Sequence, residues 1–416
     1  MSSWSGLMGE ISLSELAVEK GLVGGPFGSD LVSRDYVEDG VPVIRGGNVH
    51  SKNVGGDFVY VTRRKYESVL LRNSAVPGDL VFTQRGTLGQ VSIVPEEPYR
   101  AYVVSQSQMR LRPDPRVADG QYLFYACSTD RFKRVLLDNA IATGVPHINL
   151  GILARMRIPY FSLPEQRAIA DVLGAIDDKI AANAKARRAA ATLAHAVFSR
   201  AIVGAQRHSP LGELGKDGQV EFGDGYRTKK SEHADDGYAI VRAADVRDGA
   251  VTTNGTDHVS RAFSRQIGSK SVRVNDLVMT TKGTVGRTAI VGELTQDAVY
   301  SPQCCYFRVP ASSEIQWGYL AGWFLSDLPQ RQLDSLMHKS DMAPYVNLRD
   351  VGTLEIPRLP ADQERDVGEE QQTLIALMQK CAASNRVLAH TRDELLPLLM
   401  SGKLTVKDAE TAVADL

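Results

Sequence analysis

The stretch GDLVFTQRGTLGQVSIV, residues 78–94, occurs a second time as NDLVMTTKGTVGRTAIV, residues 275–291. Both copies keep Asp-Leu-Val, Gly-Thr, Gly and Ile-Val in the same frame, displaced by 197 residues. Two further segments recur at 197 or 198 residues: PVIRGGNV (42–49) as AIVRAADV (239–246), and HINLGILARMRIP (147–159) as YVNLRDVGTLEIP (345–357). A nearly constant displacement over so much of the chain indicates a duplicated module.

Each module begins with short runs in which apolar and polar residues alternate, such as VPVIRGG, DLVFTQ, QVSIVP and QMRLRP. Glycine, proline and asparagine separate these runs, a pattern that predicts strands joined by turns. One helical patch interrupts the strands in each copy, at 121–138 and at 315–334. The sequence therefore predicts a mixed α+β domain, built mostly from antiparallel strands, in each copy.

Each module then continues into about 40 residues of strong helix formers, at 165–203 and 363–401. A helix of that length spans on the order of 60 Å. The apolar stripes of the two helices correspond at the same displacement: Ile180, Ala184, Ala191, Ala194, Phe198 and Ala201 in the first, and Leu377, Cys381, Leu388, Thr391, Leu395 and Leu398 in the second. We expect the helices to pack against each other as an antiparallel coiled coil, with the internal repeat related by a pseudo-two-fold axis. In the alternative, each helix folds back on its own domain.

The duplication predicts five segments along the chain. They are a first globular domain (1–163), a first long helix (164–205), a second globular domain (206–359), a second long helix (360–402) and a C-terminal tail (403–416).

Bulk composition is that of a soluble globular protein: 416 residues, 43% apolar and 23% charged, with room for two to four compact units. The net charge of −1 means that any anion-binding face must be local. The N-terminus does not resemble a signal peptide, and no apolar run approaches 18 residues, so we expect a cytoplasmic protein without a membrane span. The four cysteines show no CxxC spacing, which favours reduced thiols and no metal site.

Motifs of catalysis and cofactor binding are missing from the sequence. It contains no GxxxxGK[ST] phosphate loop, no Pro-Pro pair of the kind found in adenine methyltransferases, and neither HExxH nor GxSxG. The glycine-rich GGPFGSD (24–30) follows no clear strand–helix frame and predicts a turn. His147 is replaced by Tyr345 in the second copy, which favours a hydrogen-bonding or stacking role over catalysis. We therefore expect no catalytic residues and no cofactor held by this chain.

Polar and cationic residues at predicted turns recur in both copies. Lysine and arginine suit DNA phosphates, whereas arginine, asparagine, glutamine and threonine suit base edges. The DNA-contact set predicted on this basis is Ser29, Arg45, Asn48, Gln84, Arg85, Thr87, His147, Arg227, Lys229, Lys230, Arg242, Lys282, Thr284, Lys339 and Tyr345. Two interpretations of the Gly-Thr-x-Gly segment remain open: a tight turn close to DNA, or a hairpin corner far from it.

The whole chain resembles the specificity subunit of Type I restriction–modification systems. The resemblance is carried by the two Gly-Thr-x-Gly segments, PVIRGGNV, LPEQRAIADVLGAIDDKI at 163–180 and the closing TRDELLPLLMSGKLTV at 391–406. It implies two target recognition domains, separated by two long conserved helices, that each read half of a split double-stranded DNA site. It also implies two partner methyltransferase subunits, which use S-adenosylmethionine on adenine N6. In the full complex it implies motor–nuclease subunits that use ATP and Mg.

One departure from the family pattern lies at the start of the second helix, where Asp366, Glu369 and Glu370 replace expected apolar residues. Either this end is solvated or it faces a partner. Two other classes of function also remain open from the sequence. One is an enzyme with methyltransferase or nuclease activity in the same chain, as in fused restriction enzymes. The other is a protein–protein scaffold whose duplicated domains bind peptides.

Overall fold

A computed structural model describes residues 7–142, 144–247, 249–253, 255–337 and 345–414 of the chain. The chain divides into two compact units. Unit 1 comprises Met1–Ile180 and Arg386–Leu416, and unit 2 comprises Ala181–Asn385. Each unit therefore contains one globular part and a portion of each of two long helices.

Residues 7–162 of unit 1, apart from position 143, form three sheets and four short α-helices. Its strands are β1 (Gly9–Ser12), β2 (Ala17–Gly24), β3 (Tyr36–Val37), β4 (Val41–Ile44), β5 (Val59–Val61), β6 (Ser74–Ala75), β7 (Leu80–Thr83), β8 (Val91–Ile93), β9 (Tyr102–Val104), β10 (Gln108–Pro113) and β11 (Arg157–Tyr160). Its helices are α1 (Arg63–Lys65), α2 (Gly120–Ser128), α3 (Asp130–Asp138) and α4 (Leu150–Arg155). The strand orders are β2-β10-β7-β8, β3-β5-β4-β9-β6 and β1-β11, and only the β4–β9 pair among them is parallel.

Strand β7, which carries the segment that opens the repeat, shows why the unit has layers. All four of its residues are buried, and successive side chains point to opposite faces of the sheet. Leu80 and Phe82 pack into a core with helix α2, whereas Val81 packs into a second core with Tyr102 of β9. Because both faces of this strand are buried, its apolar residues do not alternate with polar ones. This explains the continuous apolar run.

The long helix α5 (Leu163–Ala201) leads from unit 1 into unit 2. The strands of unit 2 are β12 (Arg207–Pro210), β13 (Glu221–Asp224), β14 (His233–Ala234), β15 (Tyr238–Val241), β16 (Val246–Arg247), β17 (Gly249–Val251), β18 (His258–Val259), β19 (Leu277–Thr280), β20 (Thr288–Ile290), β21 (Ala298–Tyr300), β22 (Cys304–Arg308) and β23 (Glu355–Arg358). Its short helices are α6 (Leu211–Lys216), α7 (Ser264–Ile267), α8 (Trp317–Leu325), α9 (Leu328–Met337) and α10 (Leu348–Gly352). The chain ends with α11 (Ala361–Met400) and α12 (Val406–Ala414).

The sheets of unit 2 repeat those of unit 1. The order β13-β22-β19-β20 corresponds to β2-β10-β7-β8, and β14-β18-β15-β21 corresponds to β3-β5-β4-β9. The pair β12–β23 corresponds to β1–β11, and the parallel pair β15–β21 corresponds to β4–β9. A hairpin of β16 and β17 extends the larger sheet in unit 2. The predicted α+β fold with an internal repeat is confirmed.

The two predicted helical patches are each broken in two. In unit 1 the break between α2 and α3 lies at Thr129, whose side chain accepts a hydrogen bond from the N–H of Phe132. That bond is an N-cap, which satisfies one of the free amides of a new helix and so starts α3. In unit 2 the corresponding break falls between Leu325 and Leu328. The apolar pattern alone does not reveal the break, because the periodicity continues across it.

Helices α5 and α11 pair in an antiparallel manner, as predicted. Within unit 2, the amide of Asn183 donates to Ser384 and Asn385 at 3.0 and 2.9 Å, and Gln371 donates to the carbonyl of Ala194 at 2.8 Å. Residue numbers therefore rise along one helix as they fall along the other. Within unit 1, the first turns of α5 and the last turns of α11 also pack into one core with the globular part.

On α5 the residues of the predicted packing stripe are all at least half-buried, whereas two of those predicted on α11 are exposed. On α5, Ile180, Ala184 and Ala191 are half-buried, and Ala194 and Phe198 are buried. On α11, Cys381, Leu388 and Leu395 are buried, whereas Leu377 and Leu398 are exposed. The buried side chains near those two are Ile375 and Leu399. Side chains one or two positions apart along a helix point about 100–200° apart around its axis. An error of one or two positions in assigning the buried face therefore selects a side chain on the solvent face.

The acidic start of α11 is exposed at Asp366, Glu369 and Glu370. The neighbouring Glu364 is buried instead, and its carboxylate binds the guanidinium of Arg358 at 2.7 and 3.0 Å. The segment expected as a tail forms α12, whose Ala409 is buried in the core of unit 1. The predicted domain boundaries stay predictions, since the compact units divide both long helices.

Candidate nucleic-acid interface

The turn after β7 in unit 1 is tied to a distant part of the chain. Arg85 forms an isolated antiparallel bridge with His147, and the N–H of Ile148 donates to the carbonyl of Gln84 at 3.0 Å. The two glycines of the turn, Gly86 and Gly89, have φ angles of +103° and +85°. Residues with a side chain rarely adopt such angles, so these positions explain the recurrent glycines.

Unit 2 repeats this arrangement with different side chains. Lys282 forms the isolated bridge with Tyr345, and the N–H of Val346 donates to the carbonyl of Thr281 at 3.0 Å. Gly283 and Gly286 take φ angles of +80° and +86°. The bridges that tie each turn to the distant segment are backbone hydrogen bonds, so they do not depend on which side chains the turns carry. Within the turn of unit 2, the Thr280 hydroxyl also accepts from the N–H of Arg287 at 3.0 Å.

A short segment before β10, Ser105–Gln108, joins the other parts of this edge in unit 1. Its Ser107 carbonyl accepts from Gln84 N–H at 2.7 Å, and Ser105 N–H donates to the carbonyl of Ile44, next to Arg45, at 3.0 Å. The carbonyl of Gln108 accepts from Gly25 N–H at 3.0 Å. The Gly25–Asp30 loop, Arg45, Arg85 and His147 therefore lie along one edge of the unit, which we call the first polar edge.

The second polar edge is built in the same way. Thr281 N–H donates to Gln303 at 2.8 Å, Ser301 N–H to Val241 at 2.8 Å, and Gly225 N–H to Cys304 at 3.1 Å. These bonds gather the residues that we define as the second polar edge: Arg227, Lys229, Lys230, Arg242, Lys282, Thr284 and Tyr345.

Most of the predicted DNA-contact residues are exposed on these edges. Ser29, Arg45, Arg85 and Thr87 are exposed in unit 1, with Gln84 and His147 half-buried. All seven residues of the second edge are exposed. Lys339 lies outside the described residues. The structure thus brings the predicted set together on two equivalent surfaces, and its contact with DNA stays a prediction.

Asn48 is the exception, because its side chain is buried. The side chain is 2% exposed, and its oxygen accepts from the N–H of Arg45 at 2.9 Å. Its amide donates to the carbonyls of Gly55 and Asp57 at 2.9 and 3.0 Å. Its hydrogen-bonding groups are used within the loop, so Asn48 supports the position of Arg45. Asp245 does the same for Arg242 in unit 2.

The charges of the two edges differ in how far they are neutralised. Among the described residues, no ion pair is formed by Arg45, Arg85 or Lys282, which leaves their charges available to an anion. Arg242 instead contacts the carboxylate of Asp257 at 2.6 Å. The guanidinium holds the pKa of the Asp257 carboxyl below its ordinary value, because its hydrogen bond favours the ionised form.

A duplicated ion pair lies at the start of β7 and of β19, at the opposite end of each strand from the turn of its polar edge, and the sequence interpretation did not include it. Asp79 and Arg112 form a two-bonded pair with both distances 2.8 Å, and Asp276 and Arg308 form the equivalent pair at 2.6 and 2.8 Å. Each aspartate also accepts a backbone N–H of the turn that precedes its strand. The aspartates belong to the recurrent Asp-Leu-Val frame, so their recurrence was visible, but their partners were not.

The described residues contain no group of three or more histidine, cysteine or acidic side chains that could bind a metal. The four cysteines are unpaired and buried, and burial raises the pKa of the thiols of Cys127, Cys304 and Cys305. Over the described residues, no helix is both long and apolar enough to cross a bilayer.

Comparisons with known proteins agree with this architecture. Residues 38–191 match the family described as Type I restriction modification DNA specificity domain. The Type I restriction enzyme MjaVIII specificity subunit of Methanocaldococcus jannaschii is 20% identical over 324 residues, which cover 74% of this chain and 75% of the relative.

Among solved structures, the S subunit of a Type I restriction–modification system from M. genitalium aligns with a TM-score of 0.60 and 18% identity, over 94% of this chain and 95% of that one. The HsdS subunit from Thermoanaerobacter tengcongensis aligns with a TM-score of 0.36 and 16% identity, over 95% and 97%. The first of these structures shares the fold of the chain.

Proposed function

We propose that this chain, which belongs to the family of Type I restriction–modification specificity subunits, reads a double-stranded DNA site in two parts. One part is read by each polar edge. The observation that carries the proposal is that the two edges have the same backbone support but different side chains at the surface, with Arg85 and the half-buried His147 in one and Lys282 and Tyr345 in the other.

The chemistry of the edges supports DNA over a peptide as the ligand. Phosphate contacts need lysine or arginine, and base edges need side chains that donate and accept hydrogen bonds. Arg45, Arg85 and Lys282 are exposed and form no ion pair among the described residues, although the whole chain carries a net charge of only −1. Positive charge is therefore local to these edges, where a polyanion would bind.

In this proposal the chain carries no catalytic residue and no cofactor of its own. Two methyltransferase subunits bind it and supply S-adenosylmethionine for transfer of a methyl group to adenine N6. In a full restriction complex, motor–nuclease subunits that use ATP and Mg bind as well, and the assembly acts in the cytoplasm. The absence of phosphate-loop and methyltransferase motifs from the sequence supports this division of labour.

The proposal is tested by mapping methylated adenines in cells that express the chain with its methyltransferase partner. Replacing residues 1–163 with the first domain of another family member should change one half of the methylated site and leave the other half unchanged. A change in both halves would contradict independent reading. Methylation by this chain purified alone would contradict its non-catalytic role.

Single substitutions separate base contacts from phosphate contacts. If Arg85 or Lys282 reads a base edge, its replacement by alanine should weaken binding to the cognate site by about 1–3 kcal/mol, with little effect on unrelated DNA. If it binds phosphate, affinity should fall by a similar factor on all sequences, and the salt slope should decrease by about one. Arg188→Ala is the matched control, since Arg188 is exposed on α5 and belongs to neither polar edge, and its replacement removes the same charge.

A further inference from the structure

Exposed aromatic side chains are rare in this protein. Among the described residues only two aromatic side chains are classed as exposed, Phe27 at 78% and Tyr345 at 50%. Tyr345 lies on the second polar edge and Phe27 in the Gly25–Asp30 loop of the first. A phenyl ring left almost wholly in water loses the free energy of burial, so its position next to the cationic side chains calls for an explanation.

The backbone of the Phe27 loop is fixed although the ring is free. A Cβ atom on Gly25 would lie 1.9 Å from the carbonyl oxygen of Ser105, so the loop rests directly on that segment. The amide of Gln106 donates to the carbonyls of Gly28 and Leu31 at 3.0 and 3.1 Å. The ring is therefore held outward by an ordered loop and need not be ordered again when a ligand binds.

The same supporting segment places Phe27 beside the residues predicted to contact DNA. Gly25 is bonded to Gln108, and the adjacent Ser107 accepts from the N–H of Gln84, next to Arg85. In unit 2 the equivalent glycine is Gly225, whose Cβ would lie 2.1 Å from the carbonyl of Ser301. Two residues beyond it stands Arg227 in place of phenylalanine. At this position the first edge therefore carries the apolar ring of Phe27, and the second edge carries the charged side chain of Arg227.

We propose that Phe27 inserts its ring between adjacent base pairs in the first half of the DNA site. This inference rests on the proposed function and deepens it. A phenyl ring has no donor or acceptor with which to read a base edge, and the faces of stacked bases are hidden in an intact duplex. Insertion of the ring at one base-pair step partly unstacks that step and kinks the duplex. The ring is then buried, and more of the first polar edge contacts the DNA. Arg227 in unit 2 has no such apolar surface, so the second half-site is read without a wedge at this position.

The experiment uses the full chain and a duplex that carries the methylated site, with 2-aminopurine placed in turn at each adenine of the two half-sites. Unstacking raises 2-aminopurine fluorescence. We expect a rise at one step of the first half-site with the wild-type chain. Phe27→Ala should abolish that rise and weaken binding about tenfold, the typical effect of losing one aromatic–base stack. Phe27→Leu should keep part of the fluorescence rise and part of the affinity, since leucine side chains also insert between base pairs in other proteins.

Leu193→Ala is the matched control, because it removes an exposed apolar side chain of α5 that belongs to neither polar edge, and it should leave both the binding and the signal in the first half-site unchanged. Phe27 has no packing role, so circular dichroism and the melting temperature of Phe27→Ala should equal those of the wild type. Tight binding without a rise at any step of the first half-site would overturn the wedge. A second result would also overturn the wedge: Phe27→Ala weakens binding to a duplex with thymine but not to one with uracil, and no fluorescence rise is seen. That result would indicate that the ring contacts the thymine methyl group in the groove. Failure of the wild-type chain to prefer the site at all would instead overturn the proposed function.

Discussion

The Asp79–Arg112 and Asp276–Arg308 ion pairs have the same chemistry, but their arginine side chains are buried to different degrees. Asp79 and Asp276 are each 2% exposed, but the side chain of Arg112 is 34% exposed and that of Arg308 only 9%. Arg308 also donates to the carbonyls of Ser269 and Ser271 at 2.6 Å, which hold it in place. Replacing each aspartate with alanine therefore leaves one arginine close to solvent and the other buried.

The two substitutions should differ in cost. Asp276→Ala breaks a buried pair and leaves Arg308 with the exposed carboxylate of Glu221, at 3.5 Å, so we expect a cost of about 3–4 kcal/mol, near the lower end for a broken buried pair. Asp79→Ala removes similar charge-assisted hydrogen bonds, but water can solvate the arginine, so we expect about 1.5–3 kcal/mol. The double variant Asp276→Ala/Arg308→Met removes the stranded charge as well and should recover at least 1 kcal/mol of the loss, a coupling that a double-mutant cycle measures.

Native-state hydrogen exchange measures the stability of each unit separately. A single global unfolding curve cannot do this for a protein of two units. The free energy of opening would be read from amides of β10 for unit 1 and β22 for unit 2. Two of the three tryptophans, Trp317 and Trp323, lie in unit 2 and offer fluorescence as a second probe of its unfolding. Equal losses from both alanine variants, or no recovery in the double variant, would refute the reasoning from burial.

Three further substitutions give expectations of the same kind. Gly25→Ala should destabilise unit 1 and displace its loop, seen as faster hydrogen exchange there, whereas Gly47→Ala, with open space at its Cβ, should not. Asp177→Ala removes the acceptor of both Tyr125 and an arginine of α11 and should cost about 1.5–3 kcal/mol in urea denaturation of unit 1. Asp257→Asn should free the Arg242 guanidinium and strengthen DNA binding measured at low salt. Because the pKa of Asp257 is lowered in the folded chain, the pair is complete above pH 4 and lost only as pH falls through that lower value, so the effect of the substitution should be constant from pH 5 to 8.

The features that the sequence predicts correctly are those set by local pattern and by recurrence. Two long runs of helix formers give α5 and α11, and alternating runs give the strands around the Asp-Leu-Val frame. The displacement of 197 residues identifies the duplication without any knowledge of the fold. Recurrence also selects Arg85 and Lys282, because the turn that carries them is repeated as a unit.

The features that it misses depend on which face tertiary packing selects. Leu377 and Ile375 are both apolar and two positions apart, and only the partner helix decides which of them is buried. Asn48 looks like a free polar group at a turn until its three hydrogen bonds within the loop are seen. Asp79 and Arg112 lie 33 residues apart, and nothing in the intervening sequence says that they meet.

The duplication explains how one framework can serve two different recognition tasks. Backbone groups make several of the bonds that position each edge, as between Gln84 and Ile148 in one unit and Thr281 and Val346 in the other. Such bonds place no demand on side chains, so an exposed position can change without loss of the fold. Other side chains cannot change so freely: Asn48 and Asp245 accept the backbone N–H of Arg45 and Arg242, and the aspartates of the duplicated ion pairs lie at the far end of the strands that lead to the edges. Divergence of recognition after duplication is therefore confined to the exposed positions, and there the two copies differ: arginine against lysine, histidine against tyrosine, and phenylalanine against arginine.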